Sequence, residues 1–561
     1  MKHAILSTIL WFTPILAQTP AGDAPPPAAT TTATAAIGAP HLLLDTVGPD
    51  GWRLRLGPTN LGALLASEKG RGLWQPHVLP MLGQANLLLG GSDVGEAAMQ
   101  HLLGHQGRVR VGVWFDLEAR WLGDAAAVAV LIEGDGRTDL ARLAGDLRGV
   151  LEKALPGEPS SLELGGTARE LRTQGDDALV LPFVDGPNVL LVVGPQNLVP
   201  AVFAAAKQLG ADATGKPPKP NTPAMRVQLD VAALLPAWKR QEGARDAHMM
   251  EVLGVDSLGT LSFEVGAAGP HVQFELAQQF TRDERGLFAA LLPGTPGVPG
   301  DRALVPTGAG SWKLGHFDFQ GLYQNVLRAI ASQEADGVEE LSGRLREELG
   351  LDVDQDLLAH TTDAVLFAHE PIEELERPND LSWVFGLGLR DEAAFTAGLT
   401  KVLTKAKGFL NHAETTTVDG VQTHRYGFAF GYDLWLCVTA KHLLLCGGRD
   451  GAELLAKTIA ATKRPADAKP LADELADLRR HLPAGCNGHA RSELGGFIAL
   501  PLDWWIGPWS MLGFGRMPVD GPADDETAQS DRRALLQDNH LDVLRTATGY
   551  AERTFRWRIW W

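Results

Sequence analysis

The sequence is poor in cysteine, with three thiols in 561 residues, Cys437, Cys446 and Cys486. A chain this long buries enough apolar surface to fold without disulfides. We therefore expect Cys437 and Cys446, which lie in two neighbouring apolar runs, to be buried free thiols. A bridge between them is the alternative and would need a hairpin turn centred on Lys441-His442. The matching turn earlier in the chain, Gly186-Pro187, shifts the register away from that pairing.

Basic residues are in the minority, with 50 Lys and Arg against 68 Asp and Glu, giving a net charge of −18. Such a chain repels a phosphate backbone on average, so nucleic acid is not expected as a partner. A hydrophobic content of 45% is typical of a globular protein.

The first apolar run, Ala4–Ala17, is shorter than the ~20 residues that a membrane-spanning helix needs. It follows the basic residue Lys2 and ends on a small residue, which is the pattern of a cleaved signal peptide. We expect residues 1–17 to be that signal peptide and the Ala/Thr/Pro-rich residues 18–40 to be a flexible linker. The protein is then exported, periplasmic or secreted, without a transmembrane span after cleavage.

Common catalytic signatures are missing. Neither G-x-S-x-G nor S-x-x-K occurs, which removes the commonest serine-nucleophile motifs. Gly210–Lys216 is similar to a phosphate-binding loop, but Pro217 replaces the hydroxyl residue that would bind Mg²⁺, and a helix precedes it. His101 and His105 stand four apart without a third metal ligand. We predict no catalytic residue, no cofactor and no metal, and leave open whether the protein is an enzyme.

The chain contains one arrangement twice, with landmarks repeated about 255 residues apart in the same order. The matched pairs are Trp52 with Trp312, Leu102–His105 with Leu357–His360, Ala144-Gly145 with Ala397-Gly398, and Gly194 with Gly448. We predict two tandem copies, residues 41–300 and 301–561. The Pro/Gly-rich segment Pro293–Gly300 marks the junction.

Hydrophobic periodicity predicts the elements of each copy. Trp52–Leu56 alternates apolar and charged residues, which favours a strand, and Asp139–Leu155 has the apolar stripe of a helix. Ala178–Val184 and Val189–Val193 predict a hairpin. The fold class is α+β, with antiparallel or mixed sheets and helices packed on one face.

Three segments resemble an uncharacterised family of exported bacterial proteins. They are Trp312–Asp318, Leu349–Leu358 and Ser382–Leu389, the last leading into a helix. The resemblance covers Asp301–Thr462 well and the first copy more weakly. It implies a strand–helix–strands–helix unit and no established activity.

One segment of the second copy is unusually apolar. Leu494–Gly515 has a single charge, at Asp503, and carries Trp504, Trp505 and Trp509. It is either a buried irregular loop or an apolar surface that binds a partner, a lipid surface or a hydrophobic ligand. The sequence favours a non-catalytic binding or envelope-associated interaction protein. The alternatives are a hydrolase with a dispersed site and a carrier of an apolar ligand.

Overall fold

The fold is seen in a computed structural model. It describes residues 38–69, 101, 104–119, 126–154, 158–211, 216, 218–219, 222–241, 244–283, 286–291, 304–333, 343–344, 346–348, 350–371, 381–405, 411–428, 432–464, 481–493 and 534–561. The chain divides into two compact units, residues 1–241 with 260–272, and residues 242–259 with 273–561. The predicted signal peptide and the predicted junction at 293–300 lie outside the described residues.

The first unit is built on an antiparallel sheet. Its described strands are β1 (Leu42–Val47), β2 (Arg108–Phe115), β3 (Ala126–Glu133), β4 (Glu158–Leu164), β5 (Thr167–Gln174), β6 (Asp177–Asp185), β7 (Asn188–Pro195), β8 (Met225–Asp230) and β9 (Leu258–Ala268). Strand pairing gives the order β9-β8-β1-β2-β3-β7-β6-β5-β4. The predicted hairpin is β6–β7, whose turn contains Gly186 at φ +58°.

The described helices of this unit are α1 (Pro49–Leu56), α2 (Asn60–Ala66), α3 (Leu140–Ala154), α4 (Val199–Leu209) and α5 (Val231–Gln241). The predicted strand at Trp52–Leu56 is wrong, because these residues form the end of α1. Pro49 occupies the first helical turn and Asp50 follows it, and both residue types favour a helix start. The match of Trp52 to Trp312 in the predicted repeat therefore joins a helix to a strand.

Helices pack on both faces of the first sheet, so the expected placement on one face is wrong for this unit. Helix α4 joins a cluster with Ala129 and Val192, which share one face. Helix α3 places Leu143 against Ile132 and Val189 on the other. The physical reason is that β3, with the sequence AAVAVLIE, is apolar at successive positions and needs cover on both sides.

The second unit also contains an antiparallel sheet. Its described strands are β10 (His271–Phe280, from residue 273 onward), β11 (Ser311–His316), β12 (Thr361–His369), β13 (Trp383–Leu389), β14 (Asn411–Val418), β15 (Val421–Phe428), β16 (Tyr432–Val438), β17 (His442–Gly447), β18 (Cys486–Glu493), β19 (Val543–Ala551) and β20 (Thr554–Trp560). Pairing gives the order β10-β20-β19-β18-β11-β12-β13-β17-β16-β15-β14. Together with the helices, this establishes the predicted α+β class.

The described helices of the second unit are α6 (Ala244–Leu253), α7 (Leu287–Leu291), α8 (Phe319–Gln333), α9 (Val353–Asp356), α10 (Glu392–Lys405) and α11 (Gly451–Thr462). Helix α11 covers one face of the sheet, which we call the helix face. Its Leu454, Leu455 and Ile459 are fully buried in one cluster with Leu314 and Leu444.

The two buried cysteines belong to this cluster. The β16–β17 register pairs Cys437 with Leu444 and Cys446 with Trp435, so the two thiols do not face each other directly. Both are free in the structure. Burial raises the pKa of Cys437 to about 11, and burial also raises the pKa of Cys446.

Candidate ligand-binding surface

The sheet of the second unit is apolar on both faces. Leu314, Leu366 and Leu444 lie on the helix face, in the cluster that includes α11. Successive side chains of a strand point to opposite faces, so their sequence neighbours point away from α11, to what we call the second face. That face is commonly polar and solvated in an antiparallel sheet. Here it carries mainly aromatic and aliphatic residues.

One line of paired residues, which we call the Phe367 row, crosses four strands of the second face. Lys313 pairs with Phe367, Phe367 with Phe385, and Phe385 with Leu445. Phe367 is 42% exposed, and Phe385 and Leu445 are half-buried. At about 4.8 Å between strands, the row extends on the order of 14 Å from Lys313.

A second line, the Gly315 row, lies two residues further along each strand. Gly315 pairs with Val365, Val365 with Leu387, and Leu387 with Leu443. In the other direction the row continues through Gly488, Thr548 and Trp557. Trp557 is 39% exposed, so this row too contains an accessible aromatic ring.

Gly315 and Gly488 leave a shallow furrow beside Lys313, because two adjacent strands lack a side chain there. A Cβ on Gly488 would lie 2.7 Å from Thr548 Oγ1, so a side chain at that position would require Thr548 to move. A Cβ on Gly315 would come no closer than 3.8 Å to its nearest neighbour, Gly488 Cα. The space above Gly315 is therefore open to a ligand atom.

In the first unit, a helix covers the face of the sheet that corresponds to the second face. Leu151 of α3 packs against a cluster that includes Leu179 and Val193. In the second unit, α10 follows β13 as α3 follows β3, but it packs against α9. A Cβ on Gly398 of α10 would lie 2.2 Å from the Asp356 carbonyl oxygen, which shows how closely these two helices approach.

The helix face of the second unit offers little room. A cavity of about 40 Å³ lies there between the sheet and α11, lined in part by Leu366, Gly386 and Thr458. That volume suits a water molecule or two and is far below the size of an organic ligand site. The second face is therefore the better candidate for a ligand-binding surface in this unit.

A separate polar cluster lies inside the first unit, around Asp135. Its carboxylate accepts hydrogen bonds from the backbone N–H groups of Gln106 (2.9 Å), Arg137 (2.8 Å) and Thr138 (2.7 Å). His105 Nδ1 lies 3.2 Å from Asp135 Oδ2, and both side chains have 0% exposure. Asp135 thus links the loop after β3 to the loop before β2.

Electrostatics in this cluster follow from burial and hydrogen bonding. Burial works to raise the pKa of Asp135, but the backbone donors outweigh it and bring the pKa down to about 2. Burial lowers the pKa of His105, against the attraction of Asp135. At neutral pH the pair is therefore a neutral imidazole and a carboxylate. Its complete enclosure leaves no approach for a substrate, so we assign the pair a structural role.

A polar pocket of about 140 Å³ in the second unit is lined in part by Arg346, Asp352 and Asp354. The carboxylate of Asp354 accepts hydrogen bonds from Gln320 (2.9 Å) and Gln324 (2.7 Å). Asp352 caps α9 and pairs with Arg346 at 2.7 Å. These carboxylates connect helices and loops of their own unit.

The residues singled out from the sequence fall in several places. Trp504, Trp505 and Trp509 lie outside the described residues. His101 Nε2 lies 3.5 Å from Asp146 Oδ2, whereas His105 pairs with Asp135, so the two histidines have separate partners. Gly210 directly follows helix α4, as the loop interpretation of the Gly210–Lys216 segment requires.

Sequence reasoning missed the Phe367 row. A signal was present, because β13 and β17 read WVFGLGL and HLLLCG. Near-continuous apolar runs of this kind indicate strands that need cover on both faces. Lys313 lies between Trp312 and Leu314, which are buried on the helix face. Its exposed side chain therefore shows that the second face of the strand is less covered.

Comparison with known proteins identifies no family. No family model matches the sequence, and no curated protein matches it. Crystal form III of TP0453 is 8% identical, with 46% of this chain and 86% of that chain covered and a TM-score of 0.21. Crystal form I of TP0453 is 9% identical over 44% and 77%, with a TM-score of 0.19. Scores this low establish neither a common fold nor a common function.

Across the described part of the chain, no helix combines the length and apolar character needed to cross a membrane.

Proposed function

We propose that this chain is a binding protein that carries an apolar ligand on the second face of its second unit. The observation that carries the proposal is the Phe367 row, an aromatic and aliphatic surface that stays partly exposed while the opposite face is packed. Exposed apolar surface of this kind marks a binding site in a folded protein. Aromatic rings such as Phe367 and Phe385 supply large contact areas to such a ligand.

We also propose that the two units are tandem copies of one fold. The support is the strand order. In the first unit it runs β9-β8-β1-β2-β3-β7-β6-β5-β4, and in the second the order β19-β18-β11-β12-β13-β17-β16-β15-β14 follows the same chain path. Superposition of residues 126–209 and 383–462 in an experimental structure tests this. Different strand connections there would refute the duplication.

Export is part of the proposal and rests on residues 1–17. A ligand carrier outside the cytoplasm agrees with the acidic, cysteine-poor composition of the chain.

Binding of pyrene, an uncharged apolar fluorophore, to the full chain tests the ligand proposal. We expect saturable binding that Phe367→Ser weakens about tenfold, a loss of ~1.4 kcal/mol of binding free energy. Gly315→Leu should weaken binding as well, because the new side chain fills the furrow. Gly315 has no positive φ, so its backbone accepts a leucine.

The matched control is Leu54→Ser, since Leu54 is 50% exposed and lies in the first unit. We expect this variant to bind pyrene like the parent. Circular dichroism and thermal unfolding confirm that each variant is folded. Absent or non-saturable binding by the parent, or equal loss in Leu54→Ser, would refute the assignment of the surface.

A further inference from the structure

The second face carries one charge in the middle of its apolar rows. Strand pairing extends both rows beyond the residues described above, so that the Phe367 row and the Gly315 row together run from β10 to β16. Their members are Phe274, Ile559, Thr546, Ala490, Lys313, Phe367, Phe385, Leu445 and Leu436 in the first, and Leu276, Trp557, Thr548, Gly488, Gly315, Val365, Leu387, Leu443 and Val438 in the second. Lys313 is the single ionisable residue among these members, and the first row next reaches His424 on β15, which pairs with Leu436.

Among the described residues, Lys313 has no counter-charge. Its side chain is exposed, and no salt bridge joins its ammonium to another residue in the described part of the chain. Three other cations of this sheet are paired. Arg556 and Arg558 lie within ion-pair distance of Glu275, and Arg491 lies 3.6 Å from Glu493. A lone ammonium beside apolar side chains therefore remains available to an anion.

The position of Lys313 matches one end of an elongated ligand. Phe367 is its direct neighbour on β12, and the row continues on one side through Phe385 and Leu445. Gly315, two residues along β11, provides the furrow next to the ammonium. At the equivalent place in the first unit, β1 carries Leu44, which pairs with Val111. The first unit thus lacks the charge and serves as an internal contrast.

We propose that the ligand is a free fatty acid, with its carboxylate paired to Lys313 and its hydrocarbon chain lying along the Phe367 row. A single ammonium matches a single negative charge, and the apolar part of the row, which extends on the order of 14 Å from Lys313 to Leu445, suits one hydrocarbon chain. This inference rests on the proposed function, since it names the class of ligand for the same surface.

Binding of three probes with the same hydrocarbon chain tests the headgroup. We expect the delipidated full chain to bind palmitate about tenfold more tightly than hexadecanol, and to bind hexadecyltrimethylammonium more weakly than either. Lys313→Met should remove the advantage of palmitate and leave hexadecanol binding unchanged. Lys313→Arg should retain it. The advantage of palmitate should also shrink at high salt, because the pair is exposed to solvent.

Lys441→Met is the matched control, since Lys441 is exposed in the turn before β17 and lies outside both rows. We expect it to bind all three probes like the parent. Equal affinity for palmitate and hexadecanol in the parent, unaltered by Lys313→Met, would overturn the fatty-acid proposal and leave the apolar surface standing. Failure to bind any probe would overturn the proposed function itself.

Binding to a membrane surface is the alternative that must be distinguished from binding of a free fatty acid. Vesicles of phosphatidylglycerol, tested by co-sedimentation, should compete with palmitate only weakly. Vesicle binding that depends on Lys313, without binding of free palmitate, would contradict a single detached fatty acid as the ligand.

Discussion

Asp135→Asn should destabilise the first unit by an amount that follows from the pKa of the aspartate. The pKa falls from 3.8 to about 2 in the folded protein. A difference of one unit between the folded and unfolded pKa corresponds to about 1.4 kcal/mol. The ionised carboxylate therefore contributes roughly 2.5 kcal/mol to the free energy of unfolding at neutral pH, and the neutral amide lacks that contribution.

The sign of the pH dependence follows from the same values. Because the folded pKa is the lower one, the unfolded chain takes up a proton first as the pH falls. The contribution of Asp135 is complete well above pH 3.8 and is lost as the pH approaches about 2. The pKa of His105 is also lowered, from 6.5. The free energy of unfolding therefore begins to fall as the pH drops below 6.5, where the unfolded histidine sets the reference. This loss precedes the protonation of Asp135.

Urea unfolding over a pH series, combined with hydrogen exchange of the Gln106, Arg137 and Thr138 amides, measures the effect. Asp139→Asn is the matched control, because Asp139 is exposed and accepts from the Ala141 and Arg142 amides at 3.1 Å. Asparagine caps a helix as well as aspartate does, so the control should lose little.

An equal loss of stability in the two variants would refute this reasoning. An Asp135→Asn protein whose unfolding free energy still rises with pH from 2 to 4 as steeply as the parent's would refute it as well.

Four further predictions concern other sites. In a thermal unfolding assay, Gly448→Ala should cost roughly 3 kcal/mol of stability, because φ is +98° and a Cβ would lie 2.2 Å from the Leu381 carbonyl oxygen. Gly420→Ala should cost about 1 kcal/mol in the same assay, because φ is +84° but a Cβ there has no neighbour within 4 Å. Cys437 and Cys446 should resist iodoacetamide at pH 8 in the folded protein and react in urea; rapid labelling of the folded chain would contradict their burial. Mass spectrometry of protein recovered from the producing cell should find residues 1–17 removed, and an intact Met1 on the exported protein would contradict a signal peptide. Among Trp504, Trp505 and Trp509, the sequence predicts at least one accessible indole, which acrylamide quenching of single Trp→Phe variants measures.

Periodicity predicted the elements whose patterns are long. The apolar stripe of α3 and the β6–β7 hairpin appear at the predicted positions, within one or two residues of the observed ends. Trp52–Leu56 was misassigned because five residues of alternating character also fit a turn and a half of helix. The signal that decides the case, Pro49 followed by Asp50, precedes the segment.

The site itself depends on pairings that no local pattern contains. Lys313 and Phe367 are far apart in sequence and meet only because β11 pairs with β12 in one particular register. The His105–Asp135 contact likewise joins the loops before β2 and after β3. A shift of one residue in the β11–β12 pairing would move Lys313 to the opposite face relative to Phe367, so the surface could not be deduced without the register.

The terminal strands of the two strand orders affect the tendency of this chain to aggregate. β4 and β14 stand at the ends of the two described strand orders. β4 reads EPSSLEL and begins with Glu158 and Pro159, and β14 reads NHAETTTV. Charge, proline and short polar side chains make such strands poor templates for strand addition by another chain. A protein whose inner strands are apolar on both faces is prone to intermolecular aggregation, and polar margins direct newly made chains toward folding within one molecule.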